Sequence, residues 1–127
     1  MMHRARWAAI AAAAAGLAFA APTHAEVPTL GVAHPAGLPD AVGLGTVRPT
    51  GFSLGSMATS TIHDISWDSW GSDPATGHGL VFRSHDNPNS RISVVAMNLG
   101  DCGGHQVYRQ VKEIESGGTD GSVWDLC

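Results

Sequence analysis

"RISVVAMN", residues 91–98, is the stretch on which the fold turns. Ile92, Val94 and Ala96 alternate with Arg91, Ser93, Val95 and Met97. Successive side chains of a strand point to opposite faces, so one face here is apolar and the other mixed. Working outward, short runs of the same kind fall at Phe52–Met57, Thr61–Trp67, Gly79–Arg83, Gln106–Glu115 and Ser122–Cys127. Turn clusters separate them: "GSDPATGHG" (71–79), "SHDNPNS" (84–90), "GDCGG" (100–104) and "SGGTDGS" (116–122). The run around 106–115 also fits a helix, because Val107, Val111 and Ile114 fall at i, i+4 and i+7. β-Branching at all three favours a strand, partly buried on both sides. The expectation is an all-β chain, a small antiparallel β-sandwich or open barrel of about six short strands.

Preceding these runs, residues 26–51 are rich in proline and glycine and keep no helical or two-residue period. Proline cannot donate to a ladder and glycine loses the most entropy on ordering. The segment therefore reads as an arm or linker, either reaching away from the domain or packed along it in extended form. The chain thus divides into a leader (1–25), this arm (26–51) and a β domain (52–127).

The leader itself has a basic start (His3, Arg4, Arg6), an apolar run from Trp7 to Ala21, and small residues at Thr23-His24-Ala25. The run is too short to cross a bilayer, which takes about 20 residues. It has the form of a secretory signal peptide cut between Ala25 and Glu26, with a cut after Ala20 as the alternative. With Arg4 and Arg6 gone, five basic residues face 11 acidic ones, a formal charge of −6 against −4 for the whole chain. The remaining cations are scattered, which argues against nucleic acid or a membrane as partner once the signal is removed.

Cys102 and Cys127 are the only cysteines. In an exported chain an even count reads first as a disulfide. Closed within one chain, the bridge contributes roughly 3–4 kcal/mol by loop entropy. Closed between chains, it makes a linked structural dimer.

The order Arg48-Pro49, Ser53-Leu54, "ISWDSWGSDPATGHG" (65–79), an apolar strand and "CGGHQVY" (102–108) resembles a family of small, uncharacterised, secreted actinobacterial proteins. The resemblance spans roughly residues 48–114. Its most specific parts are Trp67-x-x-Trp70-Gly71, Ala75-x-Gly77-x-Gly79 and Cys102-Gly103-Gly104. It implies a secreted, β-rich domain and brings no activity with it. Members of that family often carry further cysteines between the glycine motif and the apolar strand. "VFRSHDNPNS" (81–90) has none, so the resemblance supplies no partner for Cys102.

Within the opening of that motif, Trp67 and Trp70 are an odd number apart and point to opposite faces of a continuous strand. If Gly71 starts a turn, Trp67 is core and Trp70 caps the edge. The functional alternative makes Trp70 a stacking platform, with Asp68 and Asp73 as hydrogen-bond acceptors and His78, His85 and Asp86 as further candidate contacts. Gly77 and Gly79 read as tight backbone geometry, since a phosphate loop would need a lysine and a strand–helix context. No zinc-type histidine pair such as H-x-x-x-H occurs. His63, His78 and His85 are the weak metal candidates, able to converge only from adjacent strands. Cys102 with His105 forms a nucleophile–base pair only if the thiol is free. No G-x-S-x-G elbow is present.

The leading expectation is a non-enzymatic secreted domain without a cofactor. It binds a protein or cell-wall component through the loops around Gly71–Gly79 and Ser84–Ser90, with Trp70 as anchor. A small hydrolase or metal-dependent enzyme using His63, His78 and His85 is the alternative.

Overall fold

A computed structural model describes residues 26–127, and the expected signal segment 1–25 lies outside the described residues. The chain is all-β. Its strands are β1 (Thr29–Leu30), β2 (Phe52–Ser53), β3 (Thr61–Trp67), β4 (Ala75–Val81), β5 (Ser90–Cys102), β6 (His105–Glu115) and β7 (Ser122–Asp125). They form one sheet in the order β1-β6-β5-β4-β3-β2, curled into an open half-barrel. Of the two expected architectures, the open barrel is therefore the one adopted. All pairings are antiparallel except β1 with β6. One edge of β6 is taken by β5, so β1 (at Val107–Tyr108) and β7 (at Gln110–Glu113) share the other.

The alternation in β5 is realised as read: Ile92, Val94 and Ala96 are buried. The run 105–115 is a strand, buried in part on both faces through Val107, Tyr108 and Val111. Each fully buried aliphatic side chain contributes on the order of 1.5–3 kcal/mol.

Two residues with positive φ redirect the apolar faces. Asp64 (φ 54) sits where the β3–β4 register shifts, so Ile62 and Ile65 both reach the core despite their odd separation. Asn98 (φ 64) interrupts β5; even-numbered residues are buried before it, whereas Leu99 packs on the core after it.

Strand β4 starts at Ala75, four residues earlier than the composition suggests, and Ala75, Gly77, Gly79 and Val81 form its buried face. A Cβ at Gly77 would lie 2.9 Å from the Trp67 ring, and one at Gly79 2.9 Å from the Ile62 side chain. The A-x-G-x-G spacing thus makes room for large β3 side chains that lean across β4.

Residues 26–51 take the packed course, along the domain. Leu30, Leu38, Ala41 and Leu44 join the same core as Phe52, Ile62 and Val94. Val42 bridges to Ser53, and Leu30 exchanges backbone bonds with Thr46 and Gly45. The packing therefore runs continuously across residue 51.

Cys102 and Cys127 are bonded within the chain, leaving no thiol for a linked dimer or for a Cys102–His105 nucleophile pair. Among the described residues, no helix is long and apolar enough to cross a membrane.

Candidate functional site

The two tryptophans flank the point where β3 ends and the chain turns toward β4. The Trp67 indole N–H donates to the Pro49 carbonyl and that of Trp70 to the Pro28 carbonyl, each at 2.9 Å. Trp70 stands edge-on between Trp67 (centroids 4.7 Å) and Tyr108 (4.9 Å). The Tyr108 hydroxyl donates to the Ser72 carbonyl and accepts from the Gly71 N–H, both at 2.7 Å. Burial is the main force pushing its phenol above the ordinary range. Gly71 sits at φ 93, a conformation open to glycine, and the Asp73–Pro74 bond is cis. Both tryptophans are partly buried against the core, so Trp70 works as a keystone of the corner, its polar end already committed.

Asp73 is absorbed in the same construction. Its two carboxylate oxygens accept from the Asn98 and Leu99 backbone N–H groups at 3.0 and 2.9 Å. Arg109 completes the clamp, donating to the Asn98 carbonyl and side-chain oxygens. Its guanidinium lies so close over Gly100 that a Cβ there would be 2.5 Å from Cζ. Asp73 therefore holds the residue that redirects β5.

The remaining candidates disperse. Strands β3, β4 and β5 are consecutive antiparallel neighbours, so the turns at 68–74 and 82–89 lie at opposite ends of the sheet. They are separated by the length of β4, roughly 20 Å. His85, with its ring 6.0 Å from that of Phe82, and Asp86 are therefore not beside Trp70. Nor do the three histidines form a set: His63 faces Asp64 at 3.4 Å and His78 faces Asp68 at 2.7 Å. Among the described residues, no three His, Cys, Asp or Glu side chains come together to hold a metal ion. His105 bonds the Glu26 carboxylate at 3.2 Å. That carboxylate also accepts from the Gln106 N–H at 3.0 Å, and these bonds, the Gln106 one foremost, hold it below the ordinary range.

Two open clefts stand out among the described residues. The first, about 460 Å³, lies at the corner end between Glu26, Pro28, Gly71, Leu99, Asp101 and Gln106. The second, about 470 Å³, runs over the outer face of the sheet past Asp64, His78, Leu80, Arg91 and Ser93 to the turn at 116–118. The grouping of Glu26, Asp101 and Gln106 escaped sequence reasoning because the β5–β6 hairpin brings Asp101 to Gln106 and the packed arm brings Glu26 to the Gln106 N–H. Comparison with protein-family models, with curated proteins and with solved structures returned no match.

Proposed function

We propose that the protein is a secreted β domain, exported by cleavage before Glu26, which binds a protein or cell-wall component at the corner end of its sheet. The observation that carries this reading is the rigid frame around the corner cleft. The aromatic stack, the Tyr108 bonds, the Asp73 clamp and the Cys102–Cys127 bridge all converge on it. A surface ordered before its partner arrives loses less entropy on binding. Glu26 and Asp101 make the cleft acidic, which suits an amine- or guanidinium-bearing peptide or wall peptide. Export fits the disulfide, which persists in an oxidising compartment.

The test is sedimentation of the secreted protein with isolated cell walls, comparing wild type with Asp101→Asn and Gln106→Ala. The expected result is a loss of about tenfold in wall affinity, or of a crosslinked protein partner, with little change in melting temperature. Unchanged retention in both variants would refute the assignment of the cleft.

A further inference from the structure

The outer face of the sheet carries a side-chain relay that the corner does not explain. Ser66, His78 and Ser93 are lateral neighbours on β3, β4 and β5, and Asp68 lies just beyond the end of β3. His78 Nε2 is 2.7 Å from the Asp68 carboxylate and His78 Nδ1 is 3.3 Å from Ser93 Oγ. A carboxylate can only accept, so the neutral ring carries its proton on Nε2. The Nδ1 lone pair is then directed at the Ser93 hydroxyl. Each ring nitrogen thus has the role that nucleophile activation requires, with the two positions exchanged relative to the familiar triad; such sites are recognised by role and geometry.

We propose that Ser93 is the nucleophile of an esterase site on the outer-face groove, with His78 as general base and Asp68 as a positioning residue. The substrate class is a small O-acyl ester of a hydroxylated carrier. Ser93 Oγ bonds to the acyl carbon while His78 Nδ1 takes the hydroxyl proton. The ester C–O bond breaks and the leaving alcohol receives that proton. Water then attacks the acyl-Ser93, passing a proton to His78, and the carboxylic acid leaves as the Ser93 hydroxyl is restored. Arg91, on the same strand and lining the same groove, is the cation available to the carbonyl oxygen as it gains charge. His78 and Asp68 are 61% and 58% exposed, so water screens the pair. That screening limits the site to esters, whose leaving groups are better than those of amides. The relay and the corner cleft share no residue, so the two assignments stand or fall separately.

The test treats the full secreted protein with a fluorophosphonate probe and, separately, with p-nitrophenyl acetate. The expected adduct forms on Ser93 at least about tenfold faster than on the exposed Ser122, and Ser93→Ala abolishes both adduct and turnover. Asp68→Asn should leave the melting temperature in place, slow labelling about tenfold, and move the midpoint of its pH profile. Equal labelling of Ser93 and Ser122 would overturn the proposal. So would turnover that survives Ser93→Ala but disappears in His78→Ala, which would make the imidazole the nucleophile. An Asp68→Asn variant with unchanged rate and pH profile would overturn the relay.

Discussion

At the corner end, the 68–74 turn is tied to three other parts of the chain by aromatic edges, indole and phenol hydrogen bonds and a doubly accepting carboxylate. At the other end, the 82–89 and 116–121 connections rest on lighter ties. Among these are a Ser84–Asn87 turn, the Phe82–His85 ring contact, Arg83 bonded to Glu115 and to the Thr59 carbonyl, and Lys112 reaching the exposed Asp120. Both ends connect antiparallel neighbours of one sheet, so topology does not demand the difference. The corner carries more ties than returning the chain from one strand to the next requires.

That contrast can be broken by substitution. Trp70→Ala should have the largest effect, about 3 kcal/mol and a fall in Tm of more than about 10 °C, because it opens the middle of the aromatic stack. A shift below about 2 °C by thermal denaturation would mean that the corner is not held by its tryptophan. Asp73→Ala should cost about 1–2 kcal/mol by stripping the Asn98 and Leu99 N–H groups of their acceptor. Faster amide exchange confined to residues 97–100 is the accompanying signature.

Glu113 sharpens the comparison from the far side. It pairs with Val94, hence shares the inner face, and burial pushes its carboxyl above the ordinary range, partly offset by Arg83 and reinforced by Glu115. A raised folded-state value means that ionisation opposes folding, and that this cost vanishes as pH falls through that value toward the ordinary 4.5. Glu113→Gln should therefore raise stability by less than about 1 kcal/mol at pH 7, with the gain fading on acidification. Glu26, at the corner end, has the opposite sign. Its lowered value makes the tie to Gln106 a stabilising one at neutral pH, lost as pH drops below 4.5 through that lowered value. The smallest effect belongs to a two-glycine insertion between Asp86 and Asn87, within about 0.6 kcal/mol by denaturant titration. A loss above about 2 kcal/mol there would erase the distinction between the ends.

Residue alternation made β5 readable because the strand is regular as far as Asn98. It failed for β4, where Gly77 and Gly79 look like turn formers although they line the core, their missing side chains filled by Trp67 and Ile62 from β3. It failed again for Leu30, Leu38 and Leu44, whose burial depends on long-range packing hidden beneath a proline- and glycine-rich composition. The bridge was legible from cysteine count. The separation of His85 and Asp86 from Trp70 follows from hairpin connectivity alone. Neither the corner cleft nor the Asp68–His78–Ser93 relay was visible, since each depends on strand register that no local pattern encodes.

The pairing of β1 with β6 has a temporal consequence. Thr29 sits beside Val107, and the Val32 N–H bonds the Leu126 carbonyl. Residues 29–32 therefore find their neighbours only after residues 107–126 have been made. High contact order of this kind slows folding and leaves an incomplete chain without its closing seam.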